Sequence, residues 1–338
     1  MSRKQFLLIA TGGTIASIHT QAGLTPQITG EELLSYIPEA MDLCQIKTVQ
    51  LFSLDSTNIQ WKHWLLLTKM IRDNYEKYDG FIICHGTDTM AYTAAALSYL
   101  IRHSKKPIVI TGAQRPINFP DTDARTNLLD SVRFAKDDRA HGVNIVFGGS
   151  VIAGTRAKKE RTKSYNAFSS INFPPIAVIQ DKRVIFYIDD KKLDTESVSF
   201  SEQLDEKVFL YRLIPGSDGN ILDILLNQYD ALIIESFGVG GIPDYGDGSF
   251  NEAIRKWTEA GKIIVMATQV PNEGSDMSVY EVGNMVKNTY DIPESYDMTL
   301  EAVIAKTMWI LGITKERQEF RRLFYTTINH DLLFTPET

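Results

Sequence analysis

Gly80-Phe81-Ile82-Ile83-Cys84-His85-Gly86-Thr87-Asp88-Thr89 is a continuous apolar run that ends in a polar, hydroxyl-rich turn. Such a run reads as a strand buried on both faces, the signature of a parallel sheet covered by helices. A second copy of the pattern opens the chain, where Phe6-Leu7-Leu8-Ile9-Ala10 leads into Thr11-Gly12-Gly13-Thr14. Ligands of open α/β sheets sit at the carboxyl ends of the strands, so both turns fall where chemistry is expected.

Outward from these two turns, short β-rich runs alternate with helical patterns. Strands are expected over 5–10, 46–54, 80–84, 107–111 and 143–148, with helices over 59–77 and 90–103. Asn58 is the expected N-cap of the first of these, with Trp61, Trp64, Leu65, Thr68, Ile71 and Tyr75 on its apolar face. Thr29-Gly30-Glu31-Glu32 fits a capping box that opens a short helix through Ile37. The stretch 189–206 is charged, serine-rich and aperiodic, as an exposed connector should be. It divides a domain over 1–188 from one over 207–338, where the alternation restarts and Thr299 and Thr314 each cap a helix.

The chain has 338 residues, 43% hydrophobic and 23% charged, with a net charge of −7. It lacks the basic excess that attracts nucleic acid or anionic lipid, so neither is an expected partner. No stretch has the length of a secretory signal or a membrane span, so a cytoplasmic protein is expected. Cys44 and Cys84 have no metal-ligand spacing around them and read as reduced core residues.

Gly12 and Gly13 permit a tight turn that brings the Thr14 hydroxyl close to a bound group. Glycine turns of this kind also cradle phosphates or simply connect a strand to a helix. Asp88 or Thr89 caps the helix that starts near Met90, whose first amides face a developing oxyanion. His85 reads as scaffolding. Cleavage of an amide needs a nucleophile, a proton manager, oxyanion donors and a deacylating water. Thr14 and Thr87 offer hydroxyls, and Asp88 offers a carboxylate. The Lys158-Lys159 pair in Gly154-Thr155-Arg156-Ala157-Lys158-Lys159 offers an amine, although two adjacent lysines ordinarily lie on a solvated surface.

Thr11-Gly12-Gly13-Thr14-Ile15-Ala16, His85-Gly86-Thr87-Asp88-Thr89-Met90 and Gly238-Val239-Gly240-Gly241 together resemble the bacterial-type L-asparaginases. The likeness is greatest to the cytoplasmic type I branch. It extends through Val109-Ile110-Thr111-Gly112-Ala113-Gln114, Asn166-Ala167-Phe168 and Asp297-Met298-Thr299. The resemblance implies a larger flavodoxin-like or Rossmann-like parallel-sheet domain followed by a smaller C-terminal α/β domain. It also implies hydrolysis of L-asparagine to L-aspartate and ammonia, with no metal or organic cofactor.

By the same resemblance, Thr14 is the primary nucleophile, and Thr87, Asp88 and Lys159 form the cluster that handles protons and the deacylating water. A carboxylate at Asp88 favours the charged ammonium of Lys159, so burial must offset it or Lys159 polarises rather than abstracts. In Asp55-Ser56 the serine matches the position that binds the α-carboxylate; Asp88 also meets the α-amino group, and the turn at Ala113 faces the side-chain amide. Many members carry a tyrosine on the mobile loop about ten residues after the nucleophile. Here that loop reads His19-Thr20-Gln21-Ala22-Gly23-Leu24-Thr25-Pro26, with Leu24 at the matching place and no phenol.

The resemblance implies a homodimer or dimer of dimers; the turn from Gly238 to Pro243 reads as flexible, and its residues fit equally a segment that helps close a partner's site and a plain strand-end loop. Two rivals remain. One is an amidase subunit that supplies ammonia to a tRNA-dependent amidotransferase. Such subunits carry an extra N-terminal domain, whereas the first strand here is expected near Gln5. The other is a non-catalytic nucleotide or metabolite binder with Gly12-Gly13 as its anion cradle.

Overall fold

The buried runs pair into one sheet whose strand order fixes where a ligand can sit. A computed structural model describes residues 3–21, 23–191, 195–243, 246, 248–279 and 281–334. Ala22 of the loop after Thr14, residues 192–194 of the expected connector and residues 335–338 of the expected C-terminal domain lie outside the described residues. The chain divides into two compact units, Met1–Glu202 and Gln203–Thr338.

The first unit begins with β1 (Gln5–Gly12), the hairpin β2 (Ser17–Thr20) and β3 (Gly23–Pro26), α1 (Gly30–Ser35) and α2 (Ala40–Leu43). It continues with β4 (Gln45–Leu54), α3 (Trp61–Asn74), β5 (Gly80–Cys84), α4 (Met90–Leu100) and β6 (Ile101–Arg102). Next come β7 (Pro107–Thr111), α5 (Ala124–Lys136), β8 (Gly142–Phe147), β9 (Ser150–Ala153) and β10 (Ala157–Lys159). The unit closes with β11 (Phe168–Ser170), β12 (Ala177–Gln180), β13 (Arg183–Phe186) and β14 (Ser199–Phe200).

Among the described residues, eight strands form the main sheet in the order β13-β12-β9-β8-β7-β5-β1-β4. The run from β8 to β4 is parallel. Its order is that of flavodoxin-like sheets, with the reversal of strand order between β1 and β5. Beyond β8, the strands β9, β12 and β13 add antiparallel hairpins that apolar-run reading did not predict. β9 is buried but only four residues long, and β12 and β13 are short and partly exposed, so no long hydrophobic run announces them. Every residue of β5 and β7 is buried, because helices cover both faces. Part of the expected connector is ordered, since β14 pairs with β6.

The helix starts follow local hydrogen bonding. The Thr29 capping box forms: Glu32 N donates to Thr29 Oγ1 at 3.3 Å and Thr29 N donates to Glu32 Oε2 at 2.7 Å. Asn58 does not cap α3. It ends a separate 3-10 turn, Ser56–Asn58, and Gln60 takes the cap position. The apolar face of α3 is Trp64, Leu67, Thr68 and Ile71, with Leu65 only half-buried. Cys44 and Cys84 are free and buried, and burial pushes their thiols up to about 11 and about 12.

The second unit contains β15 (Val208–Arg212), α6 (Ile221–Leu225), β16 (Ala231–Ser236), α7 (Ser249–Glu259) and β17 (Ile263–Thr268). Three helices follow, α8 (Glu281–Tyr290), α9 (Leu300–Leu311) and α10 (Arg317–Phe324). The strands form a parallel sheet, β15-β16-β17, over a core that includes Leu232, Ile234, Ile254 and Trp257. Thr299 caps α9 by accepting from Ala302 N at 3.1 Å. Glu316, not Thr314, caps α10, because its carboxylate reaches Gln318 N and Glu319 N at 2.9 and 2.7 Å. The turn after β16, expected to be flexible, is pinned: Gly241 N donates to Phe237 O and Asp276 N to Val239 O, both at 2.7 Å. Lys306 and Asp331, each without exposure, form a buried ion pair at 2.6 Å. No helix among the described residues is long and apolar enough to cross a membrane.

Candidate active site

Four neighbouring parallel strands, β4, β1, β5 and β7, deliver most of the expected site residues from their carboxyl ends. Asp55 and Ser56 follow β4, Thr14 follows β1, Thr87 and Asp88 follow β5, and Ala113 follows β7. The floor is glycine against glycine. Gly13 has φ +77°, and a Cβ built on it would lie 2.3 Å from both N and Cα of Gly86. A Cβ on Gly86 would in turn meet Ser56 Cβ and Oγ at 2.7 Å. Only residues without side chains let three strand ends meet this closely. Thr11 adds a tie across the same ends by donating to Cys84 O at 2.8 Å.

Thr14 and Thr87 each follow one of the touching glycines, so their hydroxyls leave adjoining turns. Thr14 opens the 3-10 turn Thr14–Ala16 and is half-buried. Thr87 is buried, and Lys159 Nζ donates to its Oγ1 at 2.7 Å. The same ammonium lies 2.6 Å from Asp88 Oδ1. Lys159 is therefore no surface residue: its side chain is 15% exposed, against 57% for Asp88. It is held by the ribbon of β10 with β11, in which it pairs with Phe168, itself packed on Phe147.

Ser56 joins the cluster through its oxygen, which accepts from Asp88 N at 3.2 Å. Thr89 Oγ1 donates to Ser56 O at 2.8 Å, so neither Asp88 nor Thr89 caps α4 with its side chain. The Asp55 carboxylate accepts from Thr57 N and Oγ1, both at 2.9 Å, and so shapes the turn that presents Ser56. Ala113 is fully buried. Among the described residues, Thr14 meets the cluster through this backbone contact, while Thr87, Asp88, Lys159 and Ser56 are linked by hydrogen bonds.

His85 is scaffolding, as its partners make plain. Trp64 Nε1 donates to Thr93 Oγ1 at 3.0 Å, Thr93 Oγ1 lies 2.9 Å from His85 Nε2, and His85 Nδ1 lies 2.7 Å from Gly86 O. This chain suits a neutral imidazole that donates from Nδ1 and accepts at Nε2. Burial lowers its pKa to about 4, against a smaller upward pull from the Gly86 carbonyl.

Two residues were not singled out from sequence. Gln114 accepts from Thr87 Oγ1 at 3.4 Å. Asp123 accepts from Gln114 N at 3.0 Å and from Arg115 N at 3.1 Å, which fixes the loop after β7. Burial pushes the Asp123 carboxyl up, and those backbone amides pull it down. An aspartate just before α5 reads as a helix cap, so its reach back to residue 114 leaves no local signal. On the loop after Thr14, Leu24 is 45% exposed and pairs with His19 across the hairpin of β2 and β3.

Residues 5–192 match the family model described as "Asparaginase, N-terminal", and residues 207–324 match "Glutaminase/Asparaginase C-terminal domain". The chain belongs to the asparaginase family, and its chemistry is that of an amidohydrolase acting on an amide. It is 35% identical to the L-asparaginase of Thermococcus kodakarensis over 325 residues, 96% of this chain and 98% of that one. It is 34% identical to a glutamyl-tRNA(Gln) amidotransferase subunit of Pyrococcus abyssi over 343 residues, 98% of this chain and 77% of that one. The solved Thermococcus kodakarensis thermostable L-asparaginase superposes with a TM-score of 0.91 at 33% identity, covering 98% of this chain and 100% of that one. L-asparaginase I of Vibrio cholerae superposes at 0.86 with 26% identity and the same coverage.

Proposed function

We propose that this chain is an L-asparagine amidohydrolase that forms L-aspartate and ammonia through a threonyl ester. The observation that carries the reading is Lys159 Nζ held between Thr87 Oγ1 and Asp88 Oδ1, at 2.7 and 2.6 Å, where the strand order reverses. Thr14 Oγ1 attacks the carboxamide carbon, its proton leaves with the departing ammonia, and an ester to Thr14 forms. Water then attacks the ester carbon, the Thr87–Lys159 pair manages its proton, and Thr14 is freed with L-aspartate. Asp55 sets the turn for Ser56, whose oxygen already accepts from Asp88 N and whose hydroxyl proton is left to donate to the substrate α-carboxylate. Asp88 meets the α-amino group, and the turn at Ala113 faces the side-chain amide. In this reading residues 1–188 are the catalytic domain, 189–206 the linker and 207–338 the C-terminal domain of a cytoplasmic homo-oligomer.

A coupled ammonia assay on purified protein with L-asparagine, L-glutamine and D-asparagine tests the reading. Fastest release from L-asparagine is expected; release from none of the three overturns it. The second reading, an ammonia-supplying component of a tRNA-dependent amidotransferase, is favoured by the 34% identity to the Pyrococcus abyssi protein across 98% of this chain. It predicts slow release by the chain alone and a large increase when an amidotransferase partner and charged tRNA are added. A purely nucleotide-binding protein would instead be stabilised by nucleotide and release no ammonia.

A further inference from the structure

We infer that Gln114 is a positioning residue that fixes the direction of the Thr87 proton and thereby sets the pH range in which the Lys159–Thr87 pair is competent. The inference rests on the amidohydrolase reading and adds a residue to it. Its basis is hydrogen-bond polarity. The Gln114 amide has one accepting and one donating end. Gln114 Nε2 donates to Arg161 O at 3.2 Å and to Ser164 O at 3.1 Å. Both partners are carbonyls that can only accept, so a flipped amide would set oxygen against two oxygens. The amide is therefore locked with Oε1 toward Thr87, 3.4 Å from its Oγ1.

Thr87 has one proton, and an oxygen that only accepts faces it from Gln114. With that proton directed to Gln114, Thr87 turns a lone pair toward Lys159, which then donates to Thr87 and to the Asp88 carboxylate as an ammonium. For the lysine to take a proton from Thr87, the hydroxyl must swing away from Gln114. At 3.4 Å that bond is long and cheap to break. Gln114 thus holds a resting orientation that is easily released. The charged group in direct contact with the pair is Asp88; one step out, Gln114 is tied to the backbone of Arg161, which pairs with Glu160, and to the Asp123 carboxylate, with the Arg115–Asp121 pair next to it on the loop after β7.

The test compares Gln114→Glu with Gln114→Met. Both lose the two bonds that Nε2 donates to the 161–164 loop, and the glutamate also sets an oxygen against Arg161 O and Ser164 O, so the urea midpoint of each variant is measured beside its pH profile. The glutamate keeps an acceptor toward Thr87 and adds a negative charge near Lys159. The limb of the kcat/KM profile governed by the pair should move to higher pH, by about one unit. The methionine removes the acceptor and frees the Thr87 proton to turn to the lysine, so the same limb should move to lower pH by a smaller step. Shifts in the same direction, or none, overturn the inference. Titration of the Lys159 side-chain 15N signal in all three proteins gives the comparison without turnover. Opposite displacements of that signal in a protein that releases no ammonia would sustain the role of Gln114 and remove the amidohydrolase reading. An amine signal for Lys159 in the wild-type protein at neutral pH would overturn the role itself.

Discussion

Gly13→Ala tests the glycine floor most directly. The added methyl would lie 2.3 Å from Gly86 N and Cα and 2.9 Å from His85 C, all backbone atoms. They have little room to retreat, because β1 and β5 are paired up to Ala10 and Cys84 just before the turns. Gly13 also sits at φ +77°, ψ −179°, a region essentially closed to side chains, at about 1–3 kcal/mol. Overpacking adds about 1–3 kcal/mol. The expected loss is about 2–6 kcal/mol, a large part of the ~5–15 kcal/mol that holds a typical domain. Gly149→Ala is the control: its φ is also +77°, but its nearest neighbour, Ile179 O, is an ordinary 3.4 Å away. Urea unfolding followed by tryptophan fluorescence, with Trp257 and Trp309 replaced by Phe in all variants so that Trp61 and Trp64 report the first unit, and with ammonia release in parallel, should place Gly13→Ala about 1–3 kcal/mol below the control and nearly inactive. Equal midpoints and a normal rate would refute the reasoning.

Thr14→Ala and Thr87→Val should each lower ammonia release at least about a thousandfold with the fold retained by circular dichroism; a near-normal rate in either removes that residue from the mechanism. His85 is held at about 4 in the folded chain against an ordinary 6.5, so the unfolded chain binds the extra proton first as pH falls. Its contribution is complete above about pH 6.5 and lost on acidification toward pH 4, roughly 3 kcal/mol in all. A urea midpoint that falls over that window in the wild type, and much less in His85→Asn, checks it. Lys306→Met should cost about 3–5 kcal/mol by taking the ammonium away from the buried Asp331 carboxylate, while Lys306→Met with Asp331→Leu recovers most of it in the same unfolding assay.

What the sequence revealed depended on how local the cause was. The runs before Thr11 and His85 are apolar on both faces, and that pattern has no other comfortable home than a covered parallel sheet. Thr29 and Thr299 cap as expected because each bond spans three residues. Asn58 failed as a cap because it closes the 3-10 turn that Asp55 opens, which leaves the start of α3 to Gln60, and Thr314 failed because the Glu316 carboxylate reached the first amides of α10 instead. Lys159 looked like surface from its lysine neighbour, and only its pairing with Phe168 brings it under Thr87. Gln114 was in plain view beside Ala113, but its importance lies in carbonyls 47 and 50 residues away. Long-range polar bonds leave no periodicity to read.

Where Gly13 meets Gly86, the base of the crevice is peptide alone, and no substitution there can resize it without prying two strands apart. In the proposed amidohydrolase, discrimination between longer and shorter amides must then be written on the rims, in the side chains of Ser56 and Thr87 and the segment beginning at Ala113. Directed libraries aimed at those rims should yield new preferences, while libraries aimed at the base should yield mostly unfolded protein.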